Sequence, residues 1–160
     1  MAARAFPVVL APGQIVAGYS PIRSEFDPGP LMHALARHGV HLALPVVIAR
    51  DQPLLFRSWS AGEPLARGQL GILEPPAEAP VVVPDILLVP LAAFDRAGHR
   101  IGYGAGHYDR TFDRLRAAKT IVAVGLAFSV QEVVQVPALP HDVRLDYIAT
   151  EHQTIETRGH

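Results

Sequence analysis

Residues 85–116 read DILLVPLAAFDRAGHRIGYGAGHYDRTFDRLR, and the character of the chain changes three times within them. Ile86-Leu87-Leu88-Val89 is an unbroken apolar run of strand length, closed by Pro90. Leu91-Ala92-Ala93-Phe94 carries the chain out to Asp95-Arg96-Ala97-Gly98, which suits a type I turn with Asp first and Gly last. A glycine-rich turn follows, Gly102-Tyr103-Gly104-Ala105-Gly106. Behind it Tyr108, Phe112 and Leu115 recur at helical spacing, with Arg110, Asp113, Arg114 and Arg116 on the other faces.

A glycine-rich turn that opens a helix suits an anion. Glycines let the backbone approach a phosphate, and the N–H groups of the first helical turn point at it. Arg100 and Arg110 add positive charge on either side. Asp109 is the odd member, because a carboxylate repels phosphate unless a cation lies between; Mg²⁺ prefers one or two carboxylates with phosphate oxygens and water. The same residues also suit a plain strand-to-helix connection, with Asp109 stabilised by the helix dipole at roughly 0.3–1 kcal/mol. The spacing is GxGxG, which excludes the GxGxxG dinucleotide fingerprint, and no Gly-Lys-Ser/Thr follows to make a Walker A loop.

Around this stretch the chain predicts further alternation. Gln14 to Tyr19 reads as a first strand. Asp27-Pro28-Gly29-Pro30 opens a helix with apolar residues Leu31, Ala34, Leu35 and His38, ended by Gly39. Val40 to Ile48 is a second strand whose Pro45 places its pairing at an edge or interrupts it, and Leu54 to Trp59 is a third. Residues 60–84 lack either period, and so long a stretch points to a functional loop. Thr120 to Leu126 is a buried strand, and Ser129-Val130-Gln131-Glu132 reads as a capping box with a short helix from Val130. Tyr147 to Thr150 is the last strand. Alternating strands and helices call for an α/β fold, three-layer α/β/α with a mostly parallel central sheet, in one domain over residues 1–160.

Composition narrows the function classes. A chain of 160 residues holds one core and buries roughly 70% of its unfolded surface. With 49% hydrophobic and 18% charged residues it is ordinary for a compact protein, and a net charge of −1 argues against a general nucleic-acid binder. There is no cysteine, so neither disulfides nor thiolate chemistry arise, and the cytoplasm is the expected compartment. No run reaches transmembrane length, and the eight histidines show no zinc spacing.

FDRAGHRIGYGAGHYDR, residues 94–110, resembles the signature of the 5-formyltetrahydrofolate cyclo-ligase family, also called 5,10-methenyltetrahydrofolate synthetases, which reads PGLAFD..G.RLGYGGGYYDR. Ala105 stands where glycine is usual, and His107 where tyrosine is usual. The resemblance runs from Ile15 onward and implies a phosphoryl transfer from ATP, with Mg²⁺, to the formyl oxygen of a reduced folate. It implies that Gly102, Tyr103, Gly104, Ala105, Gly106, His107 and Tyr108 hold the nucleotide, while Arg100 and Arg110 neutralise its charge. It also implies Mg²⁺ on Asp109 and, within RLDYIAT, on Asp146, with Asp142 a competitor for the second place. YSPIRSEFD resembles the family segment whose glutamate contacts the folate, here Glu25; without that resemblance a solvated acid is the simpler reading. GILEP, residues 71–75, resembles a loop near the substrate. Trp59 is suited either to stacking on an aromatic ligand or to ordinary burial. Family members usually carry a basic helix ahead of the first strand. Only Arg4 lies there in this sequence, so a bare apolar face prone to self-association is expected. A non-catalytic folate- or nucleotide-binding relative, and a sugar-phosphate isomerase on a related sheet, are the alternatives.

Overall fold

The computed structural model describes residues 6–22, 24–102, 106–139 and 142–157. In chain order these form β1 (Ile15–Ala17), α1 (Gly29–Ala36), β2 (His41–Val46), β3 (Leu55–Ser58), β4 (Ala66–Arg67), β5 (Leu73–Glu74) and β6 (Val81–Val82). Then come β7 (Ile86–Pro90), β8 (Ala93–Phe94), β9 (Arg100–Ile101), α2 (His107–Ala118), β10 (Val122–Leu126), β11 (Tyr147–Ala149) and β12 (Thr154–Glu156). The main sheet has the order β12-β11-β10-β7-β1-β2-β3-β6. Its five central strands, β11 to β2, are parallel, and the flanking pairs are antiparallel.

The apolar run of β7 explains the layering. Successive strand residues face opposite sides. Ile86 and Leu88 pack with Leu31, Met32 and Leu35 of α1, and Leu87 and Val89 pack with Phe112 and Leu115 of α2. The two helices therefore cover opposite faces, and a strand buried on both faces has no polar position. Each such side chain contributes roughly 1.5–3 kcal/mol when fully buried. This is the expected three-layer α/β form.

Several expectations meet their physical reasons here. Pro45 interrupts pairing without lying at an edge: β1 pairs β2 only as far as Ala17↔Ala43, and Pro45 faces Phe56 of β3 alone. His38 is not on the buried face of α1. The helix ends at Ala36, the chain turns, and Met32 fills the place against the sheet while His38 is exposed. The capping box at Ser129 does not form. Phe128 takes the cap position of a single 3-10 turn, Ser129–Gln131, with its N–H donating to Gln131 Oε1 at 2.7 Å. The Ser129 N–H donates instead to Glu151. β12 follows what was expected to be the last strand and pairs antiparallel with β11. Within 60–84, β4 and β5 form a small ribbon, and β6 extends the main sheet.

β8 and β9 make a hairpin outside the main sheet. Its turn closes as the sequence suggests, with Gly98 N–H donating to Asp95 O at 3.1 Å. Gly98 has φ of 93°, and a Cβ there would lie 2.6 Å from Leu145 O. Gly98→Ala is expected to destabilise the fold by at least the roughly 1–3 kcal/mol of a residue held in a sparsely populated backbone conformation. Equilibrium denaturation checks this; an unchanged midpoint contradicts the packing described.

Candidate functional site

Parallel α/β sheets place ligands beyond the C-terminal ends of their strands. A cavity of about 460 Å³ lies there. Tyr19 after β1, Pro45 and Val47 at the end of β2, and Pro90 ending β7 form its floor. The β8–β9 hairpin supplies His99, Arg100 and Gly102, the start of α2 supplies Gly106 to Asp109, and the 60–84 loop supplies Leu70, Ile72 and Glu74. That loop is thus a wall of the cavity.

Gly106 is the N-cap of α2 in left-handed conformation, φ 66°, and no side chain caps the helix. The N–H groups of His107, Tyr108 and Asp109 have no intrahelical partner by position. Tyr103, Gly104 and Ala105, expected to hold nucleotide, lie outside the described residues. Arg110 is exposed and does not line the cavity; a Cβ on Gly106 would stand 3.5 Å from its Nη1, so its guanidinium lies beside the helix start.

Arg100 does more than add charge. Its side chain is only 7% exposed, lies over the Phe112 ring at 5.4 Å, donates to Val143 O at 2.9 Å and meets Asp109 Oδ1 at 3.2 Å. Val143 N–H also reaches Asp109 Oδ1, at 3.3 Å. Both of these bonds fall on Oδ1, so among the described residues Oδ2 is the Asp109 oxygen that a cation would reach. Asp142, next to Val143, lines the cavity as well and receives the Leu139 N–H at 2.8 Å. Among the described residues no group of three or more His, Asp or Glu converges into a metal cage. One or two carboxylates, completed by water and ligand oxygens, is nevertheless a donor set that Mg²⁺ accepts.

Asp146, expected as the second metal residue, does not line this cavity. It directly precedes β11, and in a parallel sheet that position belongs to the opposite edge. There its Oδ2 accepts from Arg116, in the last turn of α2, at 3.1 Å and from Ala123 N–H at 2.8 Å. Trp59 is likewise off the main cavity. It is half-buried against the α1-side core, donates Nε1–H to Glu63 O, and lines a neighbouring cleft that shares Tyr19, Ser20 and Ile22.

Glu25 is buried on the cavity wall, 9% exposed, with Oε1 accepting the Ile22 N–H at 2.9 Å. Burial pushes its carboxyl above the ordinary 4.5, only partly offset by that bond. Burial also pushes the Tyr108 phenol up, and Glu25 adds to this while Arg100 opposes it. Two contributors escaped the sequence reading. Asp95, 3% exposed, accepts from the N–H groups of Ala97, His99 and Val136 and from His99 Nδ1. Its burial alone would raise the carboxyl; the Val136 and His99 bonds hold it below the usual carboxylate range. His99 lines the cavity. Asp95 was signalled only as the first turn residue within the quoted signature, and His99, just after the turn, carried no signal.

An acid raised in the folded chain holds its proton more tightly there than in the unfolded chain. Its stabilising contribution is therefore full below pH 4.5 and lost as pH rises through the folded value. Glu25→Gln keeps the acceptor for Ile22. It should melt higher than the parent at neutral pH and lose that advantage below pH 4.5. Equal melting temperatures at neutral pH contradict this.

Known proteins share both the sequence and the fold. The 5-formyltetrahydrofolate cyclo-ligase family matches residues 8–151. The 5-formyltetrahydrofolate cyclo-ligase of Escherichia coli K12 is 35% identical over 155 residues, covering 94% of this chain and 84% of that protein. The Mycolicibacterium smegmatis protein of the same name is 34% identical, covering 89% and 76%. The NMR structure of Aquifex aeolicus 5,10-methenyltetrahydrofolate synthetase superposes with a TM-score of 0.73 at 32% identity, over 92% of this chain and 74% of that one. β7, Gly102, Gly106 and α2, which frame the cavity, fall within the matched residues, and the chain belongs to the 5-formyltetrahydrofolate cyclo-ligase family, a family of ligases.

Proposed function

We propose that this chain closes 5-formyltetrahydrofolate to 5,10-methenyltetrahydrofolate, using ATP and Mg²⁺ and releasing ADP and phosphate. The observation that carries the reading is a single cavity that joins a buried carboxylate, Glu25, to an uncapped helix start bearing Asp109. The first suits the N–H groups of a pterin. The second suits phosphate oxygens and a cation.

The chemistry explains why a nucleotide is needed. Making the methenyl bridge removes the formyl oxygen, which is a poor leaving group. Phosphoryl transfer to that oxygen turns it into phosphate, and N10 can then displace it at the same carbon. Positioning and neutralisation of charge supply most of the catalysis in such a transfer. In this reading Glu25 orients the pterin, and the His107, Tyr108 and Asp109 N–H groups face the phosphates. Arg110 adds positive charge at the helix start. Arg100 keeps the Asp109 carboxylate aimed, and Mg²⁺ would be held by Asp109 together with Asp142, neutralising the transferring group. Asp146, tied to Arg116 at the other edge, serves the fold.

Asp109→Asn should lower turnover by about 10²–10³-fold, the scale of one electrostatic stabiliser, while leaving the melting temperature near that of the parent. Near-normal turnover at limiting Mg²⁺ contradicts the assignment. Glu25→Gln should weaken calorimetric binding of 5-formyltetrahydrofolate by roughly 1–3 kcal/mol, the cost of a mispaired buried polar contact, with ATP binding unchanged. Equal folate affinity in the two proteins removes Glu25 from the substrate site.

A further inference from the structure

Two histidines, His99 and His107, form part of the cavity wall, and their partners give the two rings different capacities. His107 Nδ1 lies 3.1 Å from Gln52 O, a neutral acceptor, so that nitrogen carries the proton. Its Nε2 is buried with no partner among the described residues, and a proton added there meets no acceptor. His99 is built otherwise. Its Nδ1 lies 3.3 Å from Asp95 Oδ2, and its own backbone N–H donates to Asp95 Oδ1 at 3.1 Å. One buried carboxylate thus fixes both the backbone and the ring. A carboxylate only accepts, so the neutral His99 ring carries its proton on Nδ1 and its lone pair on Nε2. The side chain is 31% exposed, so the ring is reachable.

Ring closure needs such a group. This inference rests on the functional reading above. N10 carries a hydrogen in 5-formyltetrahydrofolate and none in the methenyl product. As the N10–C bond forms, the N10–H electron pair stays on nitrogen and its proton must go to a base. The C–O bond then breaks, and its electron pair leaves with phosphate. We propose that His99 is the catalytic base of this step, with Nε2 taking the N10 proton and Asp95, a positioning residue, holding the ring and stabilising the imidazolium that forms. This is the division of labour of an aspartate-backed histidine in acyl transfer, applied to an amine proton. The other charged groups on the wall are Glu25, Glu74, Arg100, Asp109 and Asp142. Arg144 bonds the Ala97 carbonyl of the same hairpin, and Arg96 is paired with Glu132 outside the cavity. Arg100 is committed to Asp109 and Val143 and has no basic atom to offer.

The test follows methenyl absorbance with the whole chain, saturating Mg-ATP and saturating 5-formyltetrahydrofolate. His99→Gln and His99→Ala should lose about 10²–10³ of kcat, within the range of general acid–base catalysis, with both KM values little changed. The acidic limb of the parent's kcat–pH profile should disappear in both. Added imidazole should restore part of the His99→Ala rate in proportion to its unprotonated fraction, which a merely structural histidine would not allow. Retention of kcat within about threefold in either variant overturns the assignment. So does a loss that imidazole fails to restore, or one accompanied by collapsed substrate affinity. A parent chain that forms no methenyl product overturns the functional reading itself and this step with it, whereas an active parent with indifferent variants overturns His99 alone.

Discussion

The guanidinium of Arg100 is the interaction on which the site depends. It is nearly buried, and it joins the hairpin that carries it to the start of α2 through Asp109, nine positions on, and to the 142–143 crossing through Val143 O, 43 positions away. Phe112 lies beneath it and belongs to the core on the α2 face of the sheet. A buried charge is tolerable only when paired and hydrogen-bonded, and Arg100 meets both conditions through Asp109 and Val143. Arg100 and Asp109 therefore hold each other in place, and the site inherits its geometry from that mutual requirement.

The cavity wall is richer in carboxylates than in cations. Glu25, Glu74, Asp109 and Asp142 face it, against Arg100 already engaged by Asp109. Two like unit charges about 4 Å apart repel by about 4 kcal/mol at the effective dielectric of a protein surface. A triphosphate entering alone would meet that repulsion, whereas a cation between carboxylate and phosphate reverses its sign. This makes the metal an electrostatic requirement of the wall under the proposed chemistry. The raised carboxyl of Glu25 fits the same picture, since its burial leaves little water to support the charge until a ligand donor arrives.

Much of this was legible in the sequence, and the exceptions share a cause. β7 and β10 were readable because a strand buried on both faces must be apolar throughout, and α2 because its buried residues repeat at helical spacing. β12 was not, since Thr154-Ile155-Glu156 offers one apolar residue in three and forms only because β11 presents an edge. Asp109 was legible as a carboxylate where phosphate is expected. Asp142 and Asp146 could not be told apart without topology, because which edge of a parallel sheet a residue occupies depends on whether it precedes or follows its strand. Asp95 was visible only as a turn residue within the quoted signature, and nothing singled out His99. Asp95 is also held by the Val136 segment, which folds back over the hairpin in a contact 41 positions away in sequence.

The central claim is that one cavity holds folate and nucleotide together, the pterin at Glu25 and the phosphates at the start of α2. The most direct measurement is a crystal structure of the whole chain with 5-formyltetrahydrofolate and the Mg²⁺ complex of a non-hydrolysable ATP analogue. The account predicts the pterin hydrogen-bonded to the Glu25 carboxylate, the phosphates on the N–H groups that follow Gly106, and the metal on Asp109. Pterin density confined to the Trp59 cleft, or a metal bound at Asp146, would contradict it.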